Sequence, residues 1–235
     1  MVKLHFVHTD LFILVKSAFM SMYCTIDIAS NVSRSYAGTN LFCALIDVNI
    51  RKDYNLDPFL NGLSKKLTVS KETLKDHPTI RVLRDFYWSM GVDPTKVRPS
   101  SEALARRFLT NNSIPKINNV VDAGNIASIE TFVPIGIYDA DKIVGSVTLR
   151  LANSNEEFID ISNSRHTLQG REIVLSDSNG VMHVFPYRDS LRTRVTEQTK
   201  RVLIVGCGVP GIEQELTKLA VDRTIELIKT LGASN

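Results

Sequence analysis

The spacing of apolar residues changes once along this chain, and that change limits the fold more than any other feature. Across residues 79–90, Ile80, Leu83, Phe86, Tyr87 and Met90 recur at helical spacing, with Pro78 suited to the first turn and Gly91 to the stop. Ser100 is a good N-cap for a helix over 101–109, with Glu102 in the first turn and Leu104 and Phe108 turned to the core. A third helix is expected over 119–130. Beyond that the pattern is one of strands. Residues 146–152 alternate, 172–177 and 181–185 flank Ser178-Asn179-Gly180, and 201–205 is an aliphatic run. Asn-Gly between two such runs is a strong hairpin signal. After Pro210, Ile212, Leu216, Leu219, Leu227, Ile228 and Leu231 mark a long amphipathic helix at about 211–231. Helices followed by strands make the class α+β rather than a regular βαβ alternation.

The first 75 residues are less regular. Residues 40–50 are aliphatic and read as a buried strand or short helix, and 51–75 are polar, with loops and short helices. The apolar segment 11–23 is interrupted by Lys16 and is shorter than the roughly 20 residues that span a bilayer, so it is expected to join the core and no membrane partner is expected. The chain has 235 residues, 43% of them hydrophobic, enough for a sizeable core in a single domain over 1–235. Its formal net charge of +3 permits contact with nucleic acid without demanding it. The three cysteines, Cys24, Cys43 and Cys207, form neither a disulfide framework nor a C-x-x-C pair, so reduced thiols and a cytoplasmic setting are expected. His5, His8, His77, His166 and His183 show no metal-ligand spacing, and no metal or cofactor is expected.

Four groups of residues carry candidate chemistry. His183, in the second strand of the expected hairpin, is the best general-base candidate by its neighbours, against the alternative of a half-buried strand histidine. Tyr187-Arg188-Asp189-Ser190, with Thr193, Thr196 and Thr199, is a dense polar stretch between apolar strands, either a site aimed by a rigid scaffold or a solvated loop. Asn118, Asp122, Asn125 and Ser128 lie in an otherwise apolar stretch; Asp122, Asn125 and Ser128 could share one helix face and line a polar pocket, or the group marks a capped helix end with Asn118 or Asn119 as the cap. Lys96, Arg98, Arg106, Arg107 and Lys116 make one basic neighbourhood, and Arg192, Arg194, Lys200 and Arg201 another. Arg106 and Arg107 point about 100° apart on a helix. The literal G-x-G-x-x-G at 206–211 is no dinucleotide fingerprint, because no second strand follows the helix; it reads as a tight turn whose N–H groups near Gly206 and Cys207 would serve an anion or oxyanion.

A longer series gives a resemblance. His77-Pro78-x-Ile80, Arg84, Tyr87, Gly91-Val-Asp-Pro94 and Arg98-Pro-Ser-Ser-Glu-Ala-Leu104 are followed by Arg106-Arg107, Ile114-Pro-x-Ile-Asn118, Val121-Asp122 and Asn125. Pro134-Ile-Gly136, Tyr138-Asp139 and Gly145 complete it. In order and spacing, over about residues 75–220, this resembles the free-standing relatives of the B3/B4 editing domain of the phenylalanyl-tRNA synthetase β subunit; residues 1–75 fit more loosely. The resemblance implies a three-layer α+β fold with a central β-sandwich of unusual topology. It also implies a trans-editing aminoacyl-tRNA deacylase, with tRNA rather than DNA as partner and a synthetase as a further one. In that role His183, Arg188, Asp189 and Ser190 would carry the chemistry. Asn118, Asp122, Asn125, Thr199, Gly206 and Cys207 would hold substrate, and Arg98, Arg106, Arg107 and Lys116 would meet RNA. Two polar positions of the editing pattern are glycines here: Gly136 stands at its histidine and Gly206 at its glutamate. The alternatives are therefore a non-catalytic tRNA- or protein-binding module and an amino-acid sensor on the same fold.

Overall fold

The structure, a computed structural model, describes residues 22–233. His5, His8 and nearly all of the apolar segment 11–23 lie outside them. The described chain runs β1 (Met22–Cys24), β2 (Asp27–Ile28), α1 (Ser30–Ser35), β3 (Asn40–Asp47), α2 (Asp57–Lys66), α3 (Pro78–Ser89), α4 (Ser100–Asn111) and α5 (Asn119–Thr131). It continues with β4 (Ile135–Asp139), β5 (Thr148–Leu151), β6 (Ser154–Ile159), β7 (Arg165–Gln169), β8 (Ile173–Asp177) and β9 (Gly180–Val184). It ends with β10 (Arg188–Asp189), β11 (Arg201–Gly208) and α6 (Gln214–Ala233). The class is α+β, with the helices of the middle third followed by strands.

Two sheets and a helical layer build the body. The first sheet has the order β1-β3-β11-β4, and the second the order β10-β9-β8-β5-β2. Helices α5 and α6 pack on each other and on the first sheet, α6 against β3 and β11 and α5 against β4. Strand alternation sorts the side chains between the layers. A Cβ at Gly206 would meet the Thr217 carbonyl oxygen of α6 at 2.9 Å, and one at Gly208 the Thr217 hydroxyl at 2.5 Å, so these two positions face the helix. Ile137 of β4 likewise faces Gly124 of α5. Tyr138 faces the other way, where its ring lies 6.2 Å from that of His183 on β9 in the second sheet. Both sheets thus contribute to one interior, with Leu149, Leu175, Val205 and Cys207 almost fully buried in it.

Several expectations shift in detail. Helix α4 starts at Ser100 itself and Pro99 is its cap residue, with no side-chain cap; proline pre-sets the backbone for helix entry without a hydroxyl. Residues 40–47 settle as a strand because β11 and β1 pair along both edges. The hairpin of β6 and β7 was not foreseen. Cys24 and Cys43, expected as free thiols, are joined in a disulfide. Their strands pair antiparallel with these residues opposite each other, which sets the Cα atoms 5.4 Å apart, within disulfide reach. Cys207 is free and buried. No helix among the described residues is long and apolar enough to cross a membrane.

Candidate functional site

Strand β4 is one edge of the first sheet and β10 one edge of the second. Where these two edges meet α5, a cleft of about 550 Å³ opens, a size suited to a small ligand. Asn118, Gly124 and Asn125 line it from the α5 side, Ile135, Ile137 and Tyr138 from β4, and Asp189 and Ser190 from the end of β10. The loop before β11 adds Arg194, Thr196, Glu197 and Gln198. Lys52 reaches the mouth and pairs there with Glu197, while the exposed Ile117 and Ile161 form apolar lips.

Asp189 is the charged centre of this cleft. Its Oδ1 lies 2.8 Å from Nδ1 of His183, and the two residues face each other in the β9–β10 register. The carboxylate side chain remains 42% exposed, whereas the imidazole is 6% exposed. The solvent-facing member of the pair is therefore the acid, with the histidine holding it from behind. Nε2 of His183 is buried with no hydrogen-bond partner among the described residues, and the hydroxyl of Tyr138 is buried beside the Asp189 carboxylate. Burial first, and then the charge of the nearby Asp189 carboxylate and a hydrogen bond to it, push the Tyr138 phenol well above its ordinary value.

The loop that closes the cleft is fixed from outside it. Thr199 donates to Oδ2 of Asp139 at 2.7 Å and accepts from the backbone N–H of Thr196 at 2.9 Å. The Asp139 N–H donates to the carbonyl of Thr193, tying the same loop to β4. Thr199 is buried and does not reach the cavity. On the α5 side, Asn118 caps the helix, its side chain accepting from the N–H groups of Val120 and Val121. Asp122, fully buried, accepts from the Tyr54 hydroxyl and from the N–H of Ile117. Burial pushes its carboxyl above the usual range despite those bonds. Asp122 thus anchors the loop bearing Ile117 rather than lining the cavity, while Asn118 and Asn125 do line it.

Arg188 and Asp189 are neighbours in sequence and opposites in space, as successive residues of a strand are. Nη1 of Arg188 lies 3.0 Å from His166, whose Nε2 is 2.7 Å from Oδ2 of Asp160. Side-chain and backbone hydrogen bonds from Ser162 and Ser164, with His166, hold the Asp160 carboxyl below the usual range. This cluster secures the β6–β7 hairpin, away from the cleft wall. Gly206 and Cys207 are also elsewhere. They sit in β11, paired on both edges, and the Cys207 N–H donates to the Pro134 carbonyl. Their backbone groups serve the sheet, leaving no oxyanion cradle at that point. Burial pushes the Cys207 thiol far above its ordinary value.

Among the basic residues, Arg98 and Arg107 are exposed. Arg106 is turned to the buried Glu102, 3.6 Å away, which Arg84 also binds at 3.0 Å. Lys116 lies over the Tyr54 ring and donates to the Tyr54 carbonyl. Among the described residues no group of His, Cys, Asp and Glu is arranged to hold a metal ion. Sequence reasoning passed over Tyr138, Gly124, Lys52 and Ile161 as site residues. A trace of Tyr138 was there to be read: a glycine two positions before an aromatic residue leaves that strand face open for the ring.

A family model described as the B3/4 domain matches residues 82–233. The phenylalanine–tRNA ligase beta subunit of Mycoplasma genitalium is 29% identical over 125 residues, covering 52% of this chain and 16% of the relative. That of Tropheryma whipplei is 38% identical over 98 residues, 42% and 10% respectively. That of Nocardia farcinica is 30% identical over 178 residues, 68% and 21%. The chain therefore spans only about a tenth to a fifth of these relatives' length. A crystal structure of an N-terminal fragment of the phenylalanyl-tRNA synthetase beta subunit from Pyrococcus horikoshii matches with a TM-score of 0.42 at 24% identity, over 48% of this chain and 40% of that one.

Proposed function

This chain belongs to the B3/4 domain family, and we propose that its cleft receives the aminoacylated 3′ end of a tRNA and hydrolyses the aminoacyl ester. One observation carries the reading: an exposed carboxylate, Asp189, held at 2.8 Å by a buried histidine in a cleft of about 550 Å³. A fixed carboxylate in a small cavity suits the α-ammonium of an aminoacyl group, through a charge-assisted hydrogen bond. Asn118 and Asn125 on the opposite wall offer amides to the ester carbonyl or ribose, and Arg194 and Lys52 at the mouth offer charge to the terminal phosphates. The kinship with phenylalanine–tRNA ligase beta subunits supports tRNA as the partner class, with a synthetase as a second partner.

The chemistry required is modest. Water forms a bond to the ester carbonyl carbon, the bond from that carbon to the 3′ oxygen breaks, and a proton passes to the leaving oxygen. The vicinal hydroxyl of the terminal ribose stands next to that oxygen and relays the proton. Asp189 binds the substrate and fixes it for attack, which is where most of the rate gain of such a site arises. His183 is a positioning residue acting through Asp189. Arg188 has no part in this scheme.

A binding module without hydrolysis is the second reading, favoured by one feature: the free nitrogen of His183 is buried rather than open to the cleft, so it offers no base to a bound water. Deacylation of a panel of correctly and wrongly charged tRNAs, with an Asp189→Ala control, separates the two. Loss of one mischarged species, abolished in the control, is the expected result. Retention of tRNA binding with no hydrolysis of any species refutes the enzymatic reading and leaves the module.

A further inference from the structure

The mouth of the cleft carries one charge that a polyanionic substrate does not call for. A phosphate arriving there meets Lys52 and Arg194, but also Glu197 on the same rim. Glu197 is paired with Lys52, with the Lys52 side chain 67% and the Glu197 side chain 64% exposed. A hydrogen bond from Lys52, and then its charge, hold the Glu197 carboxyl below the usual range, so it is an anion at neutral pH. The backbone beneath the pair is fixed on both sides. The Arg51 N–H donates to Oδ1 of Asn119 at 2.7 Å, and the Asn119 N–H to the Arg51 carbonyl at 3.0 Å, which pins the Lys52 loop to the start of α5. The Glu197 loop is tied by the Val48 N–H to the Lys200 carbonyl at 2.7 Å, and by a turn in which the Thr199 N–H donates to the Thr196 carbonyl at 3.1 Å. What is left to rearrange is two long, solvated side chains. Arg194 differs: its carbonyl accepts from Nζ of Lys142 at 3.2 Å, while its guanidinium has no acceptor among the described residues.

We infer that Glu197 is a built-in stand-in for a substrate phosphate: it holds Lys52 in the empty cleft, and is displaced when the 3′-terminal nucleotide of a tRNA brings its own phosphate to that ammonium. The inference rests on the reading of the cleft as a site for the aminoacylated 3′ end. An ion pair this exposed is screened by solvent and weak, so replacing one oxyanion by another costs little. Arg194, already unpaired, attracts the backbone first, and Lys52 then changes partner. Selection follows from the exchange. A nucleotide-linked aminoacyl group engages both ends of the site, its ammonium on Asp189 and its phosphate on Lys52 and Arg194. A free amino acid brings no phosphate, leaves the Lys52–Glu197 pair intact and gains nothing at the mouth. Because Glu197 competes with the phosphate for Lys52, removing it should tighten binding, and only while Lys52 is present.

The test is a mutant cycle in the whole purified chain: Lys52→Ala, Glu197→Gln and the two together. The probe is an uncharged RNA minihelix with a single-stranded 3′ end, and dissociation constants are read by fluorescence anisotropy over a range of salt. Both side chains are exposed, so all variants are expected to keep the native thermal midpoint. Glu197→Gln is expected to tighten binding about 1.4- to 5-fold, the range set by surface ion pairs. Lys52→Ala is expected to weaken binding and to make the log–log salt slope shallower by about 0.7, one single-strand phosphate contact. In the Lys52→Ala background, Glu197→Gln is expected to change nothing, since the ammonium for which the two anions compete is gone. Equal tightening in both backgrounds assigns Glu197 a distant repulsion and overturns the exchange. No tightening in the native background overturns it too, as does native affinity in Lys52→Ala. Each of those results leaves the 3′-end site standing where the native protein binds the minihelix more tightly than one lacking its single-stranded 3′ end. A native protein that does not distinguish the two minihelices overturns the 3′-end reading itself, and this inference with it.

Discussion

Replacing Asp189 by asparagine separates charge from shape at the centre of the cleft. The amide has nearly the same outline, and its oxygen still accepts from His183, whose Nδ1 lies 2.8 Å from Oδ1 in the native pair. Because the carboxylate is 42% exposed, its hydrogen bond with the imidazole is solvent-screened, and folding stability should change by less than about 1 kcal/mol. What the variant loses is the charged acceptor for a substrate ammonium. A hydrogen bond to a charged group contributes about 1.5–3 kcal/mol. At about 1.36 kcal/mol per decade, kcat/KM should fall roughly 10- to 150-fold. The assay is deacylation of the best mischarged tRNA under kcat/KM conditions, beside the thermal midpoint of each protein. A matching substrate with an N-acetylated amino group completes a cycle, because acetylation removes the same charge from the other side. The wild-type protein should lose a similar factor on the acetylated substrate, and the variant should lose almost nothing more. An Asp189→Asn protein with an unchanged midpoint and kcat/KM within twofold of native refutes the reasoning, as does a wild-type protein indifferent to acetylation.

Arg188→Ala should leave deacylation within about twofold while raising amide exchange in the β6–β7 hairpin, because Arg188 contacts His166 and not the cleft; a loss of activity like that of Asp189→Asn would return Arg188 to the site. Gly206→Ala should lower the urea midpoint by the equivalent of about 1–3 kcal/mol, since its Cβ would lie 2.9 Å from the Thr217 carbonyl oxygen of α6; a native midpoint would show that the strand and helix part freely. Glu130 joins α5 to Arg223 of α6 at 2.6 Å and to Lys66 of α2 at 3.1 Å. Burial alone would raise its carboxyl, but those two cations hold it below the usual range. Its contribution is therefore present above the unfolded value of about 4.3 and is lost as pH falls through the lower folded value. Below about pH 4.3, the thermal midpoint of Glu130→Gln should fall less steeply than that of the native protein, and parallel curves would argue against the assignment.

Helices with strong periodicity were legible in the sequence. Residues 79–90 and 119–130 became α3 and α5 with shifts of one residue, because the spacing of Ile80, Leu83, Phe86 and Tyr87 already marks a buried face. Asn118 was legible as a cap for the same local reason: its oxygen meets N–H groups two and three positions on. The pairing of Cys24 with Cys43 was not, since it depends on the register of β1 against β3. The site was legible in part. Asp189, Ser190, Asn118 and Asn125 meet in one cleft, but Arg188 and Asp122 had been grouped with them by sequence nearness alone. One residue along a strand reverses the direction of a side chain, and a helix position turned inward gives anchorage rather than a wall. Neither distinction is visible until the strand has a sheet and the helix a layer beneath it.

The two glycines that interrupt the polar pattern of the editing domain then take on different meanings. At 206 the glycine is set by packing: β11 lies so close to α6 that Thr217 leaves no room for a side chain, so a carboxylate there would demand a wider gap between strand and helix. At 136 the glycine is set by its own neighbour, because the space is filled by Tyr138 rather than left open. A histidine at 136 and the phenol of Tyr138 in its present place exclude each other sterically. The cleft has a fixed polar anchor in Asp189 beside a phenol that burial pushes well above its ordinary value. The pH dependence of such a site should therefore carry no contribution from Tyr138 across the neutral range.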